Sequence, residues 1–533
     1  MEGLNFVDAF EQSVKKNWES IAVEDIERNT IIRYKDLAKD ILYLHHFWDN
    51  IGISRNDRIA ICASNCYAWI QIYIAVVTSG RVAVILPSNL SESEVLSYLS
   101  HSSSSVFYCE RNIFDRIPNL NNSTNVRLCI EITTKDVLMG DSALLRRYSG
   151  ANNCQINECL SPQSVSFSKF SCDEIHLVLY TSGSSGHPKG VMQSRAFSMM
   201  NVEKINNRFC PKNGEPIICI NPFFHVFSQG TDIGPALCSG MRLVIVHDLS
   251  PQKLVSTFVQ YRPKRICASP FILMQILQYI FDDRNIELTN NNIIDFFGGK
   301  LDAFITGGAA MPKEIETMLY SKYNFPLQYV YGSTECGILS LGSSIERYGS
   351  SGKVVHSGSV RIEPLSYGYN IGEIQVKNRF IFSGYYNSIE ATKDAFTSDG
   401  WFKTGDLGYI DEDGYLFITG RCKDMLLTSN GENIYPEEIE ETMKASPYIR
   451  ESILVQRGER LHAIVVPDRE KVEADGLDAE GLNKKIDETV REASKKLPGF
   501  TIISGFELRD EPLERTPKGS LKRYLYSDGI KEN

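Results

Sequence analysis

Apolar residues fall into two textures along the chain. In the first part, short continuous apolar runs recur at Arg58–Cys62, Val82–Leu86, Ile175–Tyr180, Ile217–Ile220 and Leu243–Val246. Runs this short, bounded by polar residues, read as strands buried on both faces. Several are separated by stretches with helical spacing, and this alternation predicts α/β layers with much parallel sheet. From about Gly372 the texture changes. GEIQVKNRFIFSGYY and GYIDEDGYLFITGR break strand-like runs with Gly, Asn and Asp turns, which predicts a β-rich subdomain. Beyond Arg421, Pro436–Met443 reads as a helix with proline in its first turn, ESILVQ and LHAIVVPD as paired strands, and Leu482, Ile486, Val490 and Ala493 as one helix face. The predicted fold class is α/β. Residues 1–420 would form a large N-terminal domain of layered α/β subdomains plus a β-rich subdomain, and residues 421–533 a small α+β C-terminal domain.

The most apolar stretch, Tyr67–Leu86, contains Gln71 and Arg81. It is better explained by a buried helix running into a strand than by a membrane span. The N-terminal MEGLNFVDAFEQS lacks a cationic start followed by an apolar core, so it does not read as a signal peptide. A length of 533 residues is too great for one compact core. The formal net charge of -10 argues against nucleic-acid binding by bulk electrostatics. The 13 cysteines form no CxxC pair, which suggests neither a zinc site nor a disulfide framework; a cytoplasmic protein with reduced thiols is expected.

Candidate chemistry begins at LVLYTSGSSGHPKG, Leu177–Gly190. A predicted strand runs into a loop of glycines and hydroxyls that ends in Lys189. Ligands bind at the carboxyl ends of strands in open α/β sheets, and glycines let successive N–H groups point at one anion. Phosphate binding is the reading this favours over a flexible linker. The Walker pattern does not apply, because Pro188 precedes Lys189 and Gly190 follows it.

TSGSSGHPKG resembles the phosphate-loop signature of AMP-forming adenylating enzymes, which include acyl- and aryl-CoA synthetases, firefly luciferase and peptide-synthetase adenylation domains. Ser185 stands where threonine is usual. YGSTE (Tyr331–Glu335), GWFKTGDLGYIDEDGYLFITGRCKDM (Gly400–Met425) and NGENIYPEEIE follow in the family's order. The resemblance spans about residue 20 to about residue 525 and is nearest to acyl-CoA synthetases. It implies two half-reactions. A carboxylate attacks the α-phosphorus of ATP to give an acyl-adenylate and pyrophosphate; a thiol, usually that of coenzyme A, then takes the acyl group and releases AMP.

The resemblance also implies residue roles. Thr181, Ser182, Gly183, Ser184, Ser185, Gly186 and Lys189 would wrap the β- and γ-phosphates. Glu335 would hold Mg²⁺, a hard cation that prefers oxygen. Thr334 would hydrogen-bond the α-phosphate, Tyr331 would stack on adenine, and Gly332 and Ser333 belong to the same segment. Gly308 and Ala309 in GGAA would line the purine. Asp406 in TGDLG would accept the ribose hydroxyls, reinforced by Arg421, 15 residues on as in the family. His225 in NPFFHVFSQG would orient the carboxylate substrate; taken alone, a histidine among phenylalanines reads as a core residue. Amino-acid-activating relatives carry an Asp in this segment and this chain does not, which favours an acid without an α-amino group. Val330 stands where many relatives have glycine and would narrow the pocket. Lys423 in GRCKDM would be the hinge about which a mobile C-terminal domain swings, bringing the loop Ser429–Glu432 toward pantetheine.

One departure concerns the catalytic lysine that the family places just after the glycine of a TPxGK-like sequence. Here the sequence is RTPKGSLKRYL, with Ser520 at that place and lysines at 518 and 522. Lys518, in a turn that can be re-aimed, is the preferred replacement; Lys522 beside Arg523 reads as part of a solvated basic pair or a phosphate contact for coenzyme A. Three functions stay open: a ligase joining a fatty or aryl acid to coenzyme A, a ligase loading an acyl carrier protein, and an adenylation-impaired nucleotide-binding protein. An active ligase with no nucleic-acid partner and no integral membrane segment is the reading preferred.

Overall fold

A computed structural model describes residues 5–140, 160–181, 189–282, 293–343, 345–356, 358–364, 371–427, 433–434, 436–458, 460–495, 497, 502–514 and 521–526. The chain forms two compact units. One comprises Met1–Ser359 with Lys377–Trp401, the other Val360–Val376 with Phe402–Asn533.

The first unit is built on three sheets. The largest has seven strands in the order Val137–Gly140, Leu128–Glu131, Val106–Cys109, Arg58–Cys62, Val82–Leu86, Ile175–Thr181, Lys189–Ser194. Its five inner strands are parallel and each edge strand is antiparallel to its neighbour. Every residue of Val82–Leu86 is buried, as an unbroken apolar strand in a parallel sheet requires. The helix Tyr67–Thr78 is buried from Ala68 onward, which accounts for its lack of a polar face. A second sheet orders Pro216–Cys219, Arg242–Ile245, Ile21–Asp25 and Thr30–Arg33. A third orders Arg265–Cys267, Ala303–Gly307, Leu327–Ser333, Gly337–Ser343 and Lys353–Val354, with the first three strands parallel.

Two local features of this unit position the candidate site. The strand Lys189–Ser194 passes directly into the helix Arg195–Phe209, whose N-terminus is capped by Ser194 Oγ accepting from the Phe197 N–H. The segment after Asn221 does not run on as a plain helix. A short helical turn, Val226–Ser228, leads into a π-helical turn at Gln229–Ile233 and then an α-helix over Gly234–Ser239. Such turns often mark functional sites.

The second unit contains a four-stranded antiparallel sheet over Val360–Pro364, Gly372–Val376, Phe402–Ile410 and Leu416–Arg421. It also holds the helix Pro436–Lys444 and a sheet in which Arg460–Pro467 pairs antiparallel with Ile449–Arg457 and parallel with Ile503–Leu508. Leu482, Ile486, Val490 and Ala493 line the buried face of the helix Ala479–Ser494 and pack with Ile439 and Met443. No helix among the described residues is long and apolar enough to cross a membrane.

Candidate functional site

Two motifs separated by the helix Lys313–Ser321 meet at the carboxyl ends of adjacent parallel strands. Ala303–Gly307 leads into Gly308–Ala309 and Leu327–Ser333 leads into Thr334–Glu335, with Gly307 paired to Val330 in the ladder. This end of a parallel sheet is where open α/β proteins bind ligands. Gly308 has φ +78° and no atom within 4 Å of where a Cβ would sit. Its small size therefore serves the left-handed turn and leaves the backbone open, rather than relieving a crowded contact. Gly332 is the reverse case. A Cβ there would lie 1.9 Å from the Gly337 carbonyl oxygen, so the tight return of the chain at YGSTE admits only glycine.

The Ser333 hydroxyl shapes the turn. Its oxygen accepts from the Glu335 N–H at 3.2 Å and lies 3.1 Å from Cys336 Sγ. Gln193 Nε2 donates to the Thr334 carbonyl at 2.7 Å. The Thr334 hydroxyl has no hydrogen-bond partner among the described residues. The Phe382 N–H donates to the Glu335 carbonyl at 2.7 Å, and the Tyr385 hydroxyl donates to Glu335 Oε1 at 3.1 Å. Burial, and then the neighbouring Glu335 carboxylate, push the Tyr385 hydroxyl well above its ordinary pKa, so it stays a donor. Lys189 Nζ lies 5.4 Å above the same tyrosine ring. Lys189, Tyr385 and Glu335 thus form one contiguous group. The Val191–Tyr385 bridge and the hydrogen bond from the Tyr386 N–H to the Gly190 carbonyl hold it together.

Tyr331 is half-buried in its strand, opposite Ser340. Val330 is 7% exposed and sits in the ladder. His225 is the N-terminal cap residue of Val226–Ser228, its ring centroid 4.4 Å from that of Phe224. Val226 and Gln193 line the same narrow cavity. Nearby, Asp232 is fully buried and bonded to Ser228, Thr231 and Asn221, and burial raises its pKa to about 6. Thr181 pairs with Lys189 at the two ends of the segment 182–188. Ser182, Gly183, Ser184, Ser185 and Gly186 lie outside the described residues, as do Ser429–Glu432, Lys518 and Ser520.

In the second unit Asp406 and Arg421 are cross-strand partners, with Arg421 Nε 2.8 Å from Asp406 Oδ1. Lys423 is exposed in the 3₁₀ turn Cys422–Asp424. The reading of Arg523 as a solvated cation or coenzyme A contact is corrected by the structure. Arg523 is nearly buried, with Nη1 donating to Glu440 Oε1 and, at 2.7 Å, to the Leu454 carbonyl. Lys522 Nζ lies 3.4 Å from Glu514.

Tyr385 and Gln193 were not anticipated from sequence. The Gly-Tyr-Tyr of FSGYY, in a stretch with turn residues, was the available signal for the first; Gln193, a polar residue within a strand, gave none. For a metal, the Glu335 carboxylate offers Oε2, which has no hydrogen-bond partner among the described residues, and oxygen suits Mg²⁺. A cluster of Asp25, Glu27 and His247 also lies close enough to share an ion, but Lys253 and Arg28 already approach it at 3.8 and 3.9 Å.

The AMP-binding enzyme family matches residues 10–386, and the AMP-binding enzyme C-terminal domain matches residues 423–530. The putative acyl–CoA ligase YdaB of Bacillus subtilis is 27% identical over 436 residues, 80% of this chain and 81% of the relative. A long-chain-fatty-acid–CoA ligase of the same organism is 25% identical over 533 residues, covering 94% of this chain and 90% of the relative. ATP-bound MatB from Rhodopseudomonas palustris shares the fold, with a TM-score of 0.79 at 23% identity over 98% of this chain and 99% of that one. The N-terminal match covers well over half of the chain, and the protein belongs to the AMP-binding enzyme family.

Proposed function

We propose that the protein is an ATP-dependent carboxylic acid–coenzyme A ligase. It joins the acid to the α-phosphate of ATP with loss of pyrophosphate, then passes the acyl group to the coenzyme A thiol and releases AMP. The observation that carries this reading is the Thr334–Glu335 corner. It presents a hydroxyl with no hydrogen-bond partner among the described residues and a carboxylate braced by Tyr385, over whose ring Lys189 sits, at the carboxyl ends of parallel strands.

The first half-reaction brings an anion to a polyanion, so the site must neutralise charge and hold both reactants in line. Lys189 and the loop from Thr181 to Gly186 take the β- and γ-phosphates, and Thr334 Oγ1 donates to the α-phosphate. Glu335 would hold Mg²⁺, which when bound would screen the phosphate oxygens. Gly308, Ala309 and Tyr331 flank the purine, while His225 orients the carboxylate. In the second unit, Asp406 accepts from the ribose hydroxyls with Arg421 fixing its carboxylate. Lys518 supplies a cation to the carboxylate and α-phosphate. The chain divides functionally at residues 420 and 421, with Lys423 as the hinge for the second half-reaction.

The test is a panel of carboxylic acids scored for pyrophosphate release with coenzyme A, with a holo-carrier protein, and with neither. Coenzyme A-dependent AMP release with at least one acid is expected. AMP release that requires the carrier protein would overturn the acceptor, and no acid-dependent pyrophosphate release would overturn the ligase reading.

A further inference from the structure

The strand Lys189–Ser194 and the helix Arg195–Phe209 grip the chain around the Thr334–Glu335 corner at three points. Gln193 Nε2 donates to the Thr334 carbonyl at 2.7 Å. Asn201 Oδ1 accepts from the Ile338 N–H at 3.0 Å, and Lys204 Nζ donates to the Ile338 carbonyl. The fit is close, since a Cβ at Gly337 would lie 2.6 Å from Asn201 Oδ1. Gln193, Asn201 and Lys204 are all buried. One continuous stretch of chain thus takes the Thr334 carbonyl and both backbone groups of Ile338.

Packing alone does not explain these residues. A buried amide or ammonium costs free energy unless it is hydrogen-bonded, and leucine or methionine would fill the volume without that cost. Gln193 is the most informative of the three. It shares its strand with Lys189, and alternate residues of a strand lie on one face, so Lys189, Val191 and Gln193 face the same way. Lys189 Nζ lies over the ring of Tyr385, whose hydroxyl donates to Glu335 Oε1. From Lys189 to Gln193 the strand extends about 13 Å. It therefore meets the corner at two separated points, Glu335 through Tyr385 and Thr334 through Gln193. Two attachments fix the angle of the corner as well as its place, whereas one would let it pivot.

We infer that Gln193 is a positioning residue for adenylation. It sets Thr334 and Glu335 relative to Lys189, so that the groups meeting the α-phosphate, the metal and the outer phosphates act from one rigid frame. This rests on the ligase reading above and adds a residue that acts only through Thr334 and Glu335.

The test measures acid-dependent ATP–pyrophosphate exchange in Gln193→Met, Thr334→Val and the double variant, each checked for cooperative melting. Methionine keeps the volume of glutamine but cannot donate, and valine removes the Thr334 hydroxyl while keeping its backbone carbonyl. Gln193→Met leaves that carbonyl without its donor, so kcat should fall roughly tenfold while KM for ATP holds within about twofold. In the Thr334→Val background the same change should lower kcat by less than about threefold, because residues that act as one unit are not additive. A kcat that holds, a KM that moves more than kcat, or equal proportional losses in the two backgrounds would overturn the inference while leaving the ligase reading intact. If Gln193→Met does not fold, Gln193→Asn, too short to reach Thr334, replaces it in the same comparison. If the parent protein exchanges with no acid, the ligase reading falls and hydrogen exchange over residues 334–338 decides the inference. Acceleration confined to that turn in the Gln193 variant supports it; unchanged or uniformly faster exchange overturns it.

Discussion

The corner at Glu335 and the hairpin at Asp406 each present a carboxylate, but they are held in opposite ways. Around Glu335, Gln193, Phe382 and Tyr385 come from two other stretches of chain and fix backbone and side chain with neutral donors. Asp406 faces Arg421 on the next strand, and that arginine side chain is 53% exposed. Neutral donors immobilise a carboxylate without cancelling its charge, which suits a group that must attract a cation. Asp406 itself is buried, so only the arginine half of this pair is open to solvent and screened; in the proposed site its part is to orient the carboxylate for the ribose.

The second unit supplies a contrast to this half-exposed pair. Glu440 and Arg523 are nearly buried, 83 residues apart in sequence, and bonded to each other and to Leu454. Arg523→Ala strands a buried carboxylate and should destabilise this unit by about 3–5 kcal/mol. Arg421→Ala should cost about 1 kcal/mol or less. Denaturant melts of the two variants measure this, and equal losses would erase the distinction between structural and ligand-facing pairs.

Glu335→Gln keeps the shape of the corner and removes its charge. Acid-dependent ATP–pyrophosphate exchange should fall roughly 10²–10³-fold, the usual cost of losing a preorganised electrostatic partner. The melting temperature should hold, and exchange at the parent rate would remove Glu335 from the chemistry. Asp406→Ala should act on ATP instead. Loss of hydrogen bonds to a charged acceptor, about 1.5–3 kcal/mol, raises KM for ATP by roughly 10- to 150-fold. If kcat fell while KM held, Asp406 would not be a ground-state ribose contact. The smallest change belongs to Tyr385→Phe, which deletes one hydrogen bond to a Glu335 carboxylate that itself stays in place, so that only part of the about 1.5–3 kcal/mol of such a bond reaches the chemistry. Exchange should slow by roughly two- to tenfold, and excess Mg²⁺ should recover part of it. A loss as large as that of Glu335→Gln would make the tyrosine more than a brace.

Local pattern was legible in the sequence and long-range pairing was not. The helix Tyr67–Thr78, the strand Val82–Leu86 and the buried face of Ala479–Ser494 follow from apolar spacing alone. YGSTE and GGAA were visible as motifs, but nothing local shows that their strands are adjacent. Gln193 reaches Thr334 across 141 residues, and Arg523 reaches Glu440 across 83. A basic residue beside Lys522 reads as solvated until its buried partner is known. The π-helical turn at Gln229–Ile233 was equally hidden, since its sequence fits an ordinary turn or helix.

The central claim is that the acid's own oxygen bonds to the α-phosphorus before any thiol reacts. It is tested most directly with a carboxylic acid labelled with oxygen-18 in both positions, incubated with the protein, ATP, Mg²⁺ and coenzyme A. An adenylate intermediate leaves one labelled oxygen on the phosphate of AMP when the thiol takes the acyl group, and mass spectrometry should find the label there in proportion to thioester formed. Thioester accompanied by label in inorganic phosphate or pyrophosphate, with AMP unlabelled, would contradict the claim.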